Sequence, residues 1–270
     1  MRKKSITGVF WIALLICTGF VIYGAIWPKT LETITQNITS FIAVNFGWYY
    51  LLLVLFILIV CIYLLFSRYA SITLGEEGED PEFSLKSWFA MLFSAGMGIG
   101  LVFYGASEPI SHYLAPPTAS PESKAAMTEA LISSFLDYGF HPWAVYGIVA
   151  LGLAYSQFRK GENGLISRTL RPLLGNKVEG PLGVTVDVLA VFATIIGVAV
   201  SLGIGAIQIN GGLNYLFGIP NNKGIQGIII LVVTVLFLYS AWSGLSKGIQ
   251  YLSNLNMVLA GLLLLIMFIV

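Results

Sequence analysis

The sequence predicts an all-α integral membrane protein, on three observations. Of its 270 residues 57% are hydrophobic and only 10% charged, whereas soluble domains run near 45–50% and about 25%. The apolar residues form continuous runs, enough for about seven spans of ~20 residues each. Nor do these runs alternate as the strands of a membrane barrel do. Backbone amides in hydrocarbon have no water to pair with, so the runs must be helical. The same composition excludes a disordered chain, a secreted disulfide scaffold and a nucleic-acid-binding domain. Fourteen Lys+Arg against thirteen Asp+Glu leaves +1, which recruits no anionic partner.

In order, the spans fall at approximately 6–27, 47–66, 87–107, 128–157, 184–216, 225–242 and 253–270. The first follows Met1-Arg2-Lys3-Lys4. It is longer than a signal-peptide core of ~7–15 residues and no small-x-small cleavage site follows it, so it reads as a retained span. Cys17 and Cys61 lie inside apolar runs, where free cysteine acts as a small hydrophobe. With the N-terminus in the cytoplasm, only Lys29, Lys124 and Lys223 of the fourteen Lys and Arg fall in outer segments. The positive-inside rule therefore places the N-terminus inside. The stretch Glu76-Glu77-Gly78-Glu79-Asp80-Pro81-Glu82 reads as a solvated loop. In the inner loop 158–183, Leu165, Ile166, Leu170, Leu173 and Leu174 share one half of a helix, with Arg168 and Arg171 on the other. That pattern predicts an interfacial helix, its arginines anchoring or binding lipid headgroups. The last run ends in Leu-Leu-Leu-Leu-Ile-Met-Phe-Ile-Val with no polar flank, which reads as part of a longer protein.

Three spans carry residues that a plain membrane helix would not. The third contains Ser94-Ala95-Gly96-Met97-Gly98-Ile99-Gly100. Each glycine costs about 1 kcal/mol against alanine in a helix interior. Gly96 and Gly100 form a small-xxx-small packing pair, but Gly98 lies on another face, so an unwound stretch facing a cavity fits better. Glu108-Pro109 is expected to end this span, its carboxylate gating or satisfied by local amides. The fourth span carries Asp137-Tyr138-Gly139-Phe140-His141-Pro142-Trp143-Ala144-Val145-Tyr146. On an undistorted helix Tyr146 and Trp143 lie about 80° and 140° from Tyr138. Such converging rings can hold a quaternary ammonium, and Pro142 suggests a kink. Asp137 and His141, four apart, are expected to form a structural pair. The fifth span presents Gly197, Ser201 and Gly205 as a packing face. By itself Thr194 reads as bonding back to its own helix, and Asp187 as an anion at a helix start. With two histidines in the chain and no His-Glu-x-x-His, a metal cluster is not expected.

Three stretches together resemble the betaine/carnitine/choline transporter (BCCT) family. They are Ala95-Gly-Met-Gly-Ile-Gly-Leu-Val-Phe-Tyr-Gly-Ala-Ser-Glu-Pro109, Gly139-Phe-His-Pro-Trp-Ala-Val-Tyr146, and Ala193-Thr-Ile-Ile-Gly with Ser201-Leu-Gly-Ile-Gly-Ala-Ile-Gln208. The resemblance implies a LeuT-type fold of twelve spans, built from two accessory helices and two inverted five-helix repeats. This chain would then hold seven: residues 1–83 the accessory helices and acidic loop, residues 84–270 the first repeat. The second repeat would lie beyond Val270.

What the resemblance implies for function is a secondary active transporter, not an enzyme, working by alternating access in the plasma membrane. Its substrate would be glycine betaine or a related zwitterionic trimethylammonium osmoprotectant, with sodium as coupling ion and no tightly bound cofactor. Backbone groups of Ala95, Gly96, Met97 and Gly98 would lie against the substrate carboxylate, and Trp143 and Tyr146 would form part of an ammonium box. Tyr138 stands where the family often has Trp. Carbonyls around Ser94 and Met97 would serve one sodium site, and Thr194 matches a hydroxyl of a second. Val198 replaces the next threonine of that second site, and Gly100 stands where choline-type, proton-coupled members tend to carry Asp. Family members are often homo-trimers. Alternatives are carnitine- or choline-type transport by proton coupling or exchange, and a non-transporting membrane module that retains the fold.

Overall fold

The structure, a computed structural model, describes residues 7–75, 78, 80–96, 98, 100, 104–242 and 245–269. The helices run α1 (Gly8–Ile26), α2 (Pro28–Phe66), α3 (Leu85–Gly96), α4 (Gly105–Leu114), α5 (Lys124–Tyr138) and α6 (Phe140–Ala154). They continue with α7 (Ile166–Thr169), α8 (Arg171–Leu174), α9 (Pro181–Phe217), α10 (Lys223–Trp242) and α11 (Leu245–Ile269). No strand occurs among the described residues. Five helices carry stretches long and apolar enough to cross a membrane: α1, α2, α9, α10 and, within α11, Lys247–Ile269. The expected third and fourth spans do not qualify singly because each is broken, into α3 and α4 and into α5 and α6.

The packing is that of a lipid-solvated chain. Buried apolar residues are mostly small, among them Ala13, Cys17, Ala90, Ala126, Ala130, Ala144 and Ala206, while large apolar side chains on α2, α10 and α11 point outward. Lipid offers no hydrophobic drive between helices, so contacts form where small side chains let backbones approach.

Two compact units emerge, Met1–Glu79 with Phe135–Ile196, and Asp80–Ser134 with Gly197–Val270. In the first, α2 packs on α6, where the Cys61 thiol donates to the Ala144 carbonyl at 3.6 Å. Phe20 of α1 meets Phe192 of α9 edge to face, centroids 5.7 Å apart. In the second, α9 ends at Gly218, whose positive φ of 68° turns the chain at little steric cost. Asn210, fully buried, then holds the turn, donating to the Pro220 carbonyl and accepting from the Asn222 amide, both at 3.1 Å. Asn222 in turn caps α10 through the Ile225 amide at 3.1 Å.

The inner loop differs from the expected single interfacial helix. It forms two one-turn helices, α7 and α8, because Pro172 cannot donate and its ring excludes a continuous helix through Leu170. Its arginines face carboxylates: Arg168 and Arg171 each reach Glu179 at 2.6 Å, and Arg171 Nε lies 2.6 Å from Glu162. Beneath them Ser167 donates its amide (2.9 Å) and its hydroxyl (2.8 Å) to Asp187, with serine and aspartate both buried. Asp187 sits nearly two turns into α9, so its partner is Ser167 rather than the helix start.

The hydrogen bonds from Arg168 and then Arg171 hold the Glu179 carboxyl at about 2, below the ordinary 4.5. A depressed carboxyl stabilises the folded loop above its unfolded value, and that contribution fades as pH falls from about 4.5 toward 2. Pepsin cleavage within 162–179 is therefore expected to accelerate across that window, and Glu179→Gln to flatten the dependence. An identical pH profile for both proteins contradicts the assignment.

Candidate functional site

The glycine-rich segment begins where α3 ends, at Gly96. Gly98 stands exposed in a turn, Gly100 and Tyr104 in π-helical geometry, and α-helix resumes at Gly105. Among the described residues a Cβ at Gly98 would meet nothing within 4 Å. The α-helix is interrupted here: its i to i−4 ladder gives way to a turn at Gly98 and to π-helical geometry at Gly100 and Tyr104. Ala95 is exposed and Gly96 half-buried; Met97 lies outside the described residues.

Ser94 is committed to packing through its side chain. Its hydroxyl donates to the Ser253 carbonyl at 3.3 Å and accepts from Asn256 Nδ2 at 3.1 Å. Two turns earlier, Ser87 Oγ receives Gln250 Nε2 at 3.0 Å and Asn254 Nδ2 at 3.4 Å. These bonds seat α11 against α3 and fix the last turn before the interruption. Polar groups in lipid act as such a seam because no water competes for them. The Ser94 carbonyl, the group expected at a cation, is not consumed by these side-chain bonds.

Glu108 and Pro109 do not end the span; they lie inside α4. Glu108 Oε1 lies 3.4 Å from His112 Nε2, one turn on.

The aromatic segment is broken at Gly139, between α5 and α6. Pro142 has no N–H for the Tyr138 carbonyl and its ring crowds that carbonyl. The chain relieves this at Gly139 (φ −85°, ψ −141°), whose amide closes on the Phe135 carbonyl at 2.9 Å. A Cβ there would lie 2.3 Å from that oxygen, so the position requires glycine. The undistorted-helix angles for Tyr138 therefore fail: Tyr138 ends α5, while Trp143 and Tyr146 belong to α6. Trp143 and Tyr146 do come together, centroids 5.7 Å apart and planes 41° apart. The rings are splayed rather than stacked, and Trp143 is 46%, Tyr146 70% and Tyr138 39% exposed. Two inclined π faces on one side of a helix can present their negative quadrupoles to one cation. Ala144, buried against α2, keeps the opposite face of α6 occupied.

On α9, Thr194 Oγ1 donates to the Ala190 carbonyl at 2.8 Å, the back-bond expected of it, and remains exposed. A donated proton leaves the hydroxyl lone pairs available to a cation.

Sequence reasoning missed the Ser167–Asp187 bond and the amides of α11. The second left a signal: Gln250, Ser253, Asn254 and Asn256 put four polar side chains into two turns of a strongly apolar helix.

The description "BCCT, betaine/carnitine/choline family transporter" matches residues 8–270. The chain is 58% identical to the glycine betaine transporter OpuD of Bacillus subtilis, over 99% of this chain and 52% of the relative. It is 42% identical to a probable glycine betaine transporter of Desulfitobacterium hafniense, over 96% and 52%. With the ectoine/hydroxyectoine transporter of Virgibacillus pantothenticus it shares 40%, over 100% and 54%. The chain thus spans about half the length of these curated relatives. Broken third and fourth spans, a splayed aromatic pair and a match over nearly every residue lead to one conclusion: the chain belongs to the betaine/carnitine/choline transporter family.

Proposed function

We propose that the full-length protein is a secondary active transporter importing glycine betaine, or a related trimethylammonium osmolyte, coupled to sodium. The observation that carries this reading is the Trp143–Tyr146 pair, on a chain whose relatives are named for glycine betaine. A trimethylammonium group cannot donate hydrogen bonds, so apolar contact and π faces are what can recognise it. The substrate carboxylate would take backbone groups of Ala95, Gly96, Met97 and Gly98, beside the point where α3 ends. Sodium, as co-transported substrate, would use carbonyls near Ser94 and Met97 and the Thr194 hydroxyl. The chain would contribute two accessory helices (1–83) and one five-helix repeat of the LeuT type (84–270), seven spans in all. Its N-terminus would be cytoplasmic, its location the plasma membrane and its assembly a homo-trimer. Alternating access would proceed by one helix bundle rocking about the interrupted third span.

The test is uptake of radiolabelled glycine betaine into proteoliposomes holding the full-length protein. An inward sodium gradient is expected to drive accumulation, and replacing external sodium by potassium to cut the initial rate by at least about tenfold. Undiminished uptake in potassium would replace sodium coupling by proton coupling or exchange. No substrate-dependent flux under any gradient would favour a module that keeps the fold without the transport cycle.

A further inference from the structure

We propose that the first half of α2, residues 28–46, lies along the membrane surface with Ile34, Ile38 and Phe41 immersed in lipid. The inference starts from length. Helix α2 has 39 residues, ~58 Å of helix at 1.5 Å per residue, while the hydrocarbon core is ~30 Å thick. Its apolar half, 47–66, spans ~29 Å by itself, so a further nineteen or so residues need another place.

The two ends of that segment lie at one depth. Trp27 stands between α1 and α2, at the end of a 19-residue apolar helix long enough to cross the bilayer once. Trp48, Tyr49 and Tyr50 stand at the start of the apolar half of α2. Such aromatic residues mark the membrane–water boundary. A helix that leaves and re-enters the bilayer on the same side, without crossing, runs along the boundary. This course requires α2, helical throughout, to bend near Trp48, where Gly47 has no side chain to resist it.

The side-chain pattern agrees. Leu31, Ile34, Ile38, Phe41 and Ile42 fall within an arc of about 100°, and Glu32, Gln36 and Ser40 fall on the opposite side. Leu31 fixes which way the stripe points: its Cδ2 would lie 3.0 Å from a Cβ at Gly24, in the last turns of α1. The stripe thus faces the side from which α1 arrives, which is the bilayer. Within the chain, Ile34, Ile38 and Phe41 remain 42%, 52% and 61% exposed. Lys29 and Glu32 are the segment's formal charges and cancel. The surface contact is therefore apolar rather than an attraction to anionic headgroups.

The experiment uses the full-length protein with Cys17→Ser and Cys61→Ser, reconstituted in vesicles of neutral phosphatidylcholine. Nitroxide is attached at Ile34→Cys, Ile38→Cys or Phe41→Cys, and at Gln36→Cys or Ser40→Cys on the polar side. Collision rates with oxygen, which partitions into lipid, and with a water-soluble nickel chelate are compared. The oxygen-to-nickel ratio is expected to be several-fold higher at the stripe than at 36 and 40. Equal, nickel-favouring ratios at all positions would place the segment in water and overturn the proposal. Protection of the stripe from both probes would overturn it as well, in favour of contact with protein such as a second copy.

Discussion

On the proposed function, Trp143→Ala in the full-length protein is expected to raise the apparent KM for glycine betaine roughly 30-fold. A desolvated cation–π contact is worth about 2 kcal/mol, and ~1.4 kcal/mol corresponds to a factor of ten. The indole is the larger face of the pair and stands 5.7 Å from Tyr146, inclined by 41°. Trp143→Phe keeps an aromatic face at the same position and should cost less than tenfold. The residue is 46% exposed, so its removal leaves no large cavity and membrane insertion should be unaffected. Uptake by the alanine variant at wild-type apparent affinity would remove Trp143 from the ammonium site. Loss of expression together with uptake would show the residue to be structural.

The second large effect concerns stability. Asp187→Ala is expected to lower the thermal unfolding midpoint of the purified protein in detergent by roughly 5–10 °C, since ~1 kcal/mol shifts the midpoint of a chain this size by about 2–4 °C. The substitution orphans two buried donors of Ser167, its amide and hydroxyl, each at a cost of about 1–3 kcal/mol. Ser167→Ala loses only the hydroxyl bond and should show less than half the shift. Asp187→Asn keeps one acceptor oxygen and should fall between wild type and Asp187→Ala. A midpoint for Asp187→Ala within about 2 °C of wild type would mean that the buried pair contributes little.

Much of the candidate site was legible as local pattern. Alternate glycines in an apolar run announced the interruption after Gly96, because each removes helix propensity where lipid demands a helix. Pro142 announced a distortion in the fourth span. Proline disturbs the turn before it, so the break falls at Gly139, with Tyr138 at the end of α5 and Trp143 in α6. The interfacial helix failed for the same reason, with Pro172 dividing it into α7 and α8. In both cases the residue pattern was read on an unbroken helix that its own proline forbids.

The sequence by itself determined the class of the protein, the position of its apolar runs and the fact that the third and fourth of them break. Those properties depend on composition and on neighbours within a few residues along the chain. The tertiary structure alone decided which polar residues meet. Asp187 reads as an anion at a helix start until Ser167, twenty residues away, appears against it. The Ser94 hydroxyl has no evident partner along the chain until Asn256, 162 residues on, donates to it. A hydrogen bond needs its partners placed to within a fraction of an ångström, and for residues on different helices that placement comes from packing. Packing in lipid is set by small residues such as Ala90 and Ala144, whose spacing says that a face will be buried but not against which helix.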